Sequence, residues 1–484
     1  MKKLTDILKN TPVREVCGDT AAAIGGLVYD SRAVKPGDCF FAVPGTQSDG
    51  HDYIPIAVEK GAAAIVCERM PADAAEGVAY VLVGDSAGAM ADMAAAFYDY
   101  PSRELKLVGI TGTNGKTTTA TLLYDLVRAM GYKAGLISTV VYKIDGREVE
   151  ATHTTPDSIR LNAMMREMAD AGCAYCFMEC SSHAIVQERT RGLDFAGGIF
   201  SNITHDHLDY HKTFAEYIRA KKLFFDGLPK GAFALTNADD RNGRVMVQNT
   251  AAAVSAYSLR AMADFRCKIV EMHLDGMLLR IDGQELWVGL LGRFNAYNLL
   301  AVYGAAALLG LNRGEVLRVL SMLHAVSGRF EKIRAANGTT AIVDYAHTPD
   351  ALENVIQTIG EIRTPGQQLI VVCGCGGDRD RTKRPEMAAI AVKYATTAVF
   401  TSDNTRHESP EAILDDMVAG LEPGARYLRI ADRAEAIRTA VMLSRPGDII
   451  LVAGKGHETY QIVGDVKHPF DDREEIKKRF ALLN

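Results

Sequence analysis

The chain has 484 residues, 48% of them apolar and 24% charged, with a formal net charge of −6. That length exceeds one ordinary core and predicts about three domains, and the acidic balance argues against a nucleic-acid partner. No apolar run reaches membrane-spanning length, and the opening Met1-Lys2-Lys3-Leu4-Thr5-Asp6 lacks a signal-peptide core, so a cytoplasmic protein without membrane insertion is expected.

Residues 1–100 read as a small α/β unit. Leu27-Val28-Tyr29-Asp30-Ser31-Arg32 is predicted as a short strand ending in polar residues, Cys39-Phe40-Phe41-Ala42-Val43 as a second, and residues 57–66 as a helix end, a Gly61 stop and a third strand. The polar loop Gly45-Thr46-Gln47-Ser48-Asp49-Gly50-His51 sits at a strand end, where α/β sheets bind ligands; on composition alone it is a surface turn. Residues 87–98 read as a helix, and Tyr100-Pro101-Ser102 marks a boundary.

The second unit, residues 101–328, opens on an apolar run and then Gly109-Ile110-Thr111-Gly112-Thr113-Asn114-Gly115-Lys116-Thr117-Thr118-Thr119, followed by helical apolar spacing. A strand, a glycine-rich turn and a helix start form a phosphate cradle, because backbone N–H groups and the helix dipole converge on the anion. Lys116 suits terminal phosphates and Thr117 a magnesium ion, although counting from Gly109 the spacing is one residue longer than usual. Strands near residues 136–140, 175–179 and 198–203 alternate with helices, predicting a mostly parallel sheet. Residues 252–290, with turns at Asp275-Gly276 and Asp282-Gly283, predict an antiparallel insertion, and residues 298–309 a helix. The third unit, residues 329–484, carries strands near 340–344, 369–373, 398–401 and 448–453, most followed by helix-compatible sequence. The expected architecture is α/β, with a Rossmann-like, doubly wound third domain.

Nine cysteines include the close pairs Cys173/Cys176 and Cys373/Cys375, both in apolar runs, and read as core cysteines in a reducing compartment rather than zinc ligands.

Four constellations narrow the use of the phosphate loop. In Met178-Glu179-Cys180-Ser181-Ser182-His183 a strand delivers a carboxylate to its C-terminal end, where a magnesium ion would need one. Asn202-Ile203-Thr204-His205-Asp206-His207-Leu208-Asp209-Tyr210-His211 is dense in metal-ligand side chains, although a two-metal hydrolase would place its third histidine one residue earlier. On a helix over 214–225, Lys221 and Lys222 read from composition as a solvated basic face. Finally, Gly374-Cys375-Gly376-Gly377-Asp378-Arg379-Asp380-Arg381-Thr382-Lys383-Arg384 leads from a strand into cations and points to an anionic ligand. Ser402-Asp403-Asn404-Thr405-Arg406-His407 and Gly454-Lys455-Gly456-His457-Glu458 follow other strands in the same way. A nucleotide-dependent switch is the reading from a different class, against which the paired metal-ligand candidates weigh.

Together with Asp30-Ser31-Arg32, Thr154-Thr155-Pro156, Gly292-Arg293-Phe294-Asn295 and Asp344-Tyr345-Ala346-His347-Thr348-Pro349, these motifs make the chain resemble the Mur ligase family over essentially its whole length. The resemblance is to the branch that adds the third residue of the UDP-N-acetylmuramoyl peptide of peptidoglycan. It implies an ADP-forming amide ligase, acting as a monomer on small-molecule substrates, with an acyl-phosphate intermediate, ATP and Mg2+. It further implies that Thr111, Gly112, Thr113, Asn114, Gly115, Lys116, Thr117, Asn295, Arg329, Asp344 and His347 surround ATP. Thr117 and Glu179 would hold one magnesium ion, and His207 with a carbamylated Lys221 a second. Ser31, Thr46, Gln47 and Ser48 would contact the uridine diphosphate, and Thr154, Thr155, Ser181, Gln187 and Arg189 the muramoyl dipeptide. Arg379, Asp403, Asn404, Thr405, Arg406, Gly454 and Glu458 would receive the amino acid. Relatives selecting meso-diaminopimelate carry Asp-Asn-Pro-Arg; here Thr405 replaces the proline while Arg406 is kept, which favours meso-diaminopimelate over lysine. A folate-extending ligase is the more distant alternative.

Overall fold

The computed structural model describes residues 1–45, 48–204 and 208–483. Three large sheets follow one another along the described residues, beside a two-stranded pairing of Lys2–Lys3 with Ala23–Ile24 and a separate C-terminal hairpin. The first has five strands in the order Val13–Cys17, Ala79–Val83, Ala64–Cys67, Cys39–Phe41, Leu27–Val28, parallel except at Val13–Cys17. Helix Ser86–Phe97 packs on it through small residues and methionines, and starts where the Asp85 carboxylate accepts the Gly88 N–H at 3.0 Å.

The second sheet has eleven strands. Lys106–Thr111 lies between Tyr175–Glu179 and Gly197–Phe200, all parallel, so their C-terminal ends open on one edge. Ala253–Ser258 was expected in an antiparallel insertion but instead continues the parallel sheet beside Phe233–Asn237. Only Phe265–His273, Gly276–Ile281 and Gln284–Val288 form the antiparallel meander, and they extend the same sheet. One of its turns, Asp282-Gly283, has both residues at positive φ, the conformation that matches strand twist.

The third sheet runs Glu331–Arg334, Thr340–Asp344, Ile449–Ala453, Leu369–Cys373, Thr397–Phe400, Tyr427–Arg429, parallel except at its first strand. A separate hairpin pairs Tyr460–Val463 with Val466–Pro469. One apolar core runs from the second sheet into the third, including Val108, Leu300, Phe330 and Leu451, so these two layers share buried surface. All nine cysteines are free thiols and all but Cys17 are buried, as their apolar neighbours predict.

Candidate active site

The phosphate loop begins at Gly112, three residues past Gly109, where the strand has ended. Gly109 lies inside strand Lys106–Thr111, where a Cβ would come within 2.5 Å of the Phe224 ring, so it is a packing glycine. The extra residue of spacing belongs to the strand. The loop's own glycines are Gly112 (φ +148°), whose Cβ would meet Ser201 Oγ at 2.0 Å, and Gly115 (φ +86°), whose Cβ would meet Asn298 Oδ1 at 2.5 Å. The end of the neighbouring strand pins the loop: Asn114 N donates to Asn202 Oδ1 at 2.9 Å and Ser201 Oγ to Asn114 O at 2.6 Å. Lys116 Nζ donates to Gly112 O and Thr113 O at 3.0 and 2.8 Å, and helix Lys116–Ala129 aims its N-terminus at the loop.

Lys221 is not on a solvated face. It is 1% exposed, its Nζ donates to Gly112 O at 2.8 Å, and it lies 4.6 Å above the Tyr217 ring. Helix Phe214–Asp226 brings it there because the Thr213 cap sets the helix start and Tyr217, Ala220, Phe224 and Phe225 bury the same face. Lys222 points away and pairs with Asp226. Glu179, also 1% exposed, ends its strand one register from the phosphate-loop strand and accepts from Thr139 N at 2.7 Å and Thr139 Oγ1 at 3.2 Å. Among the described residues no three histidine, cysteine or carboxylate side chains converge as metal ligands. His207, Thr46 and Gln47 lie outside the described residues.

Beside Glu179, Thr155 Oγ1 donates to Glu179 O at 2.7 Å and accepts from Ser181 N at 3.1 Å. Arg189 donates to Thr155 O at 2.7 Å and to Gln187 Oε1 at 2.6 Å, while Thr139 Oγ1 donates to Thr154 Oγ1 at 3.1 Å. Five predicted residues therefore form one cluster. Ser31 is buried after strand Leu27–Val28, and the Ser48 carbonyl accepts from Gly45 N at 2.9 Å.

Across the phosphate loop opens a cleft of about 850 Å³, lined from one side by Asn114, Gly115, Thr118 and Asn295 and from the other by Arg329, Asp344, Tyr345 and His347. Arg329 Nη2 donates to Thr117 Oγ1 at 3.2 Å, and its guanidinium lies 4.5 Å over the Tyr345 ring. The buried Asp344 carboxylate accepts from Phe330 N and Ala346 N at 2.7 and 2.8 Å; burial pushes its pKa up despite Arg329. Asn295 is satisfied internally, donating to Leu291 O at 2.7 Å and accepting from Asn298 at 3.1 Å.

The third unit's loops converge as a separate group. Asn404 Nδ2 donates to Glu458 Oε2 at 2.9 Å, and Lys455 Nζ bridges Asn404 Oδ1 at 3.0 Å and Glu458 Oε2 at 2.9 Å. Burial acts to raise the Asp403 pKa, but Lys455 and Arg433 hold it below the ordinary value. Gly454 (φ +116°) leaves room for this carboxylate: a Cβ would lie 2.7 Å from Asp403 Oδ2. Arg406 donates to Gly377 O at 2.8 Å, and Arg379 to Asp378 O at 3.0 Å. Two cations of the cation-rich loop have structural partners. Arg384 is wholly buried and pairs with Glu408 at 2.8 Å and Asp416 at 2.7 Å, Arg381 joins the same carboxylates, and Arg384 pulls the Glu408 carboxyl down to about 2.

Sequence reasoning missed Thr139, Asn202, Asn298 and Lys455. Asn202 and Lys455 stood inside motifs already noted; Thr139 and Asn298 carry no local signal, because only the fold brings them to Glu179 and Gly115.

Residues 23–98 match the Mur ligase family catalytic domain, 110–306 the Mur ligase middle domain and 328–456 the Mur ligase glutamate ligase domain. The UDP-N-acetylmuramoyl-L-alanyl-D-glutamate–2,6-diaminopimelate ligase of Phocaeicola vulgatus is 55% identical over 481 residues, covering 99% of each chain. The enzyme of the same name from Bacteroides fragilis is 55% identical over 482 residues, again covering 99% of each. A solved structure of a ligase of this name superposes with a TM-score of 0.71 at 30% identity, over 100% of this chain and 99% of that one. With a match in each of its three sheet-bearing parts and 55% identity across 99% of both chains, this protein belongs to the Mur ligase family.

Proposed function

We infer that the chain is an ATP-dependent, ADP-forming ligase that joins 2,6-diaminopimelate to UDP-N-acetylmuramoyl-L-alanyl-D-glutamate in peptidoglycan precursor synthesis. The observation that carries this reading is one cleft with a phosphate loop on one wall and Arg329, Tyr345 and His347 on the other. A carboxylate is a poor acyl donor because oxide is a poor leaving group; transfer of the ATP γ-phosphoryl makes phosphate the leaving group, and an amine then displaces it. The protein's part is positioning and charge neutralisation.

In this reading, residues 1–100 hold the uridine diphosphate through Ser31 and the Thr46-Gln47-Ser48 loop. Residues 101–328 hold ATP on residues 111–117, and residues 329–484 receive the amino acid. Thr154, Thr155, Ser181, Gln187 and Arg189 orient the muramoyl dipeptide, with its D-glutamyl carboxylate toward Lys116. Arg329 and Lys116 offset phosphate charge, and Asn295, Asp344 and His347 shape the nucleotide end. The donor set fits Mg2+, because the buried Glu179 carboxylate and the Thr117 hydroxyl are hard oxygen ligands beside the phosphate loop. Thr117 and Glu179 would hold one ion, and His207 with a carbamylated Lys221 a second, and the ions would neutralise phosphoryl charge. Carbamylation needs a neutral amine shielded from water, and the burial of Lys221 supports it. Arg379, Asp403, Asn404, Thr405, Arg406, Gly454 and Glu458 select the meso isomer through its distal carboxylate and amine. The reading includes a cytoplasmic, monomeric enzyme on small-molecule substrates; separately, no described helix is long and apolar enough to cross a membrane.

Purified protein with ATP, Mg2+, the nucleotide dipeptide and a panel of amino acids is expected to release phosphate only with a diamino acid. Release without the nucleotide dipeptide would overturn the assignment, and preference for L-lysine over diaminopimelate would overturn the substrate. [13C]Bicarbonate is expected to give a carbamate resonance that Lys221→Arg abolishes.

A further inference from the structure

The turn after helix Ser182–Val186 has two working faces. Arg189 holds the Thr155 and Gln187 side, whereas Arg191 points into the first unit. Arg191 grips Asp92 through two bonds, Nη2 to Oδ2 at 2.9 Å and Nε to Oδ1 at 3.2 Å, and Asp92 lies on helix Ser86–Phe97. Its Nη1 also lies 3.5 Å from Asp85, the cap of that helix, and 3.4 Å from Glu188. Bidentate guanidinium–carboxylate pairs fix orientation as well as distance.

The surroundings are shaped for this contact. Gly88 leaves room for the guanidinium: a Cβ there would lie 2.4 Å from Arg191 Nη1. Gly192 (φ +76°) brings the turn's backbone to the helix, its Cβ position 3.5 Å from Ala91 O. Glu188, whose carboxylate faces the Arg191 guanidinium, takes a left-handed φ of +57°. Nearby, Ile159 of the second unit packs on the first unit's core.

We propose that Arg191 is a positioning residue that sets the register between the first unit and the peptide-holding cluster, through Asp92 and Asp85 on one side and the Glu188–Arg189 turn on the other. The inference rests on the reading that the first unit takes the uridine diphosphate and the second the peptide of one long substrate. A substrate spanning two rigid bodies delivers its reacting carboxylate correctly only if those bodies keep a fixed offset, and misplacement by about 1 Å can cost roughly a hundredfold in rate.

The test compares two acceptors, UDP-N-acetylmuramoyl-L-alanyl-D-glutamate and the same molecule without UDP, which engages only the second unit. Wild-type enzyme is expected to prefer the nucleotide form. Arg191→Ala is expected to cut that preference roughly ten- to hundredfold in kcat/KM, with a lowered kcat on the nucleotide substrate and with KM for ATP and for diaminopimelate unchanged. Arg191→Lys, which keeps the charge without the fork, should recover part of it. Gly88→Ala, which crowds the guanidinium without removing a charge, should weaken the preference in the same direction. An unchanged preference in Arg191→Ala, or equal loss on both acceptors with a lowered melting temperature, would overturn the proposal. Wild-type turnover of neither acceptor would overturn the ligase reading itself, and the inference with it.

Discussion

Arg406 has a left-handed backbone, φ +50°, which costs an L-residue roughly 1–2 kcal/mol. Two backbone bonds hold it there: Arg406 N donates to Ile462 O at 3.0 Å, and Arg406 O accepts from Gly464 N at 2.8 Å. Hairpin Tyr460–Pro469 thus straps the loop that a proline at 405 would otherwise stiffen, and Asn404 Oδ1 adds a third tie by accepting from Ile462 N at 3.0 Å. Arg406→Ala is expected to lower kcat/KM for diaminopimelate about 10- to 150-fold, the worth of a charged hydrogen bond of about 1.5–3 kcal/mol. Lysine turnover, which offers no distal carboxylate, should be unchanged, and parallel assays of the two amino acids check this. A second residue fixes a pH window. Burial, with Arg329 and Arg473 nearby, pushes His457 down to about 3, and its Nδ1 is buried with no hydrogen-bond partner among the described residues. An unfolded histidine titrates near 6.5, so between about 3 and 6.5 the unfolded chain binds the extra proton. Stability is then expected to fall as pH drops below about 6.5, and His457→Gln should flatten the urea midpoint between pH 7 and 5. His407 acts in the other direction: Asp378 and Asp465 raise its pKa, so its contribution is present at low pH and fades as pH rises past that raised value.

At the scale of elements, the strands were the most legible part of the sequence, since buried parallel strands read as unbroken apolar runs: Tyr175–Glu179, Thr340–Asp344 and Leu369–Cys373 fall where those runs stand. The motifs at their C-terminal ends were legible for the same reason, because the strand delivers the loop. Helix faces were less so. Lys221 and Lys222 are adjacent and chemically identical, and only the packing of Tyr217 and Phe224 decides that one is buried and the other pairs with Asp226. Arg384 looked like a ligand for the same reason in reverse: its carboxylates come from 24 and 32 residues away. The least legible pair is Arg433–Asp472, both 0% exposed and 2.7 Å apart, which ties helix Arg433–Leu443 to helix Asp472–Phe480. Arg433 also donates to Ala453 O at 3.1 Å, beneath the Gly454–Glu458 loop. Asp472→Ala would strand a buried guanidinium and is expected to destabilise the third unit by about 3–5 kcal/mol. Chemical denaturation of the whole chain measures it.

In the whole molecule, the nucleotide cleft depends on how the third unit sits against the second, and one backbone crossing sets that relation. Gly328 (φ +66°) lies so close to the Gly454–Glu458 loop that a Cβ would fall 2.0 Å from His457 N. Phe330, two residues on, is also left-handed at φ +50° and is held by its N–H donating to Asp344. Between them Arg329 reaches Thr117 on the opposite wall. A side chain at 328 meets backbone rather than a flexible tip, so the crossing must open and carry Arg329, Tyr345 and His347 away from the phosphate loop. Gly328→Ala is therefore expected to weaken ADP binding at least about tenfold, or about 1.4 kcal/mol, in calorimetric titration. The nucleotide dipeptide, which the proposed function places between the first and second units, should keep its affinity within about twofold, since the contact between those units runs through Arg191 and shares no residue with the crossing. Equal loss at both sites would mean that the substitution unfolds the chain generally. Loss confined to ADP would mean that the two faces of the second unit are set independently, each by its own small backbone device.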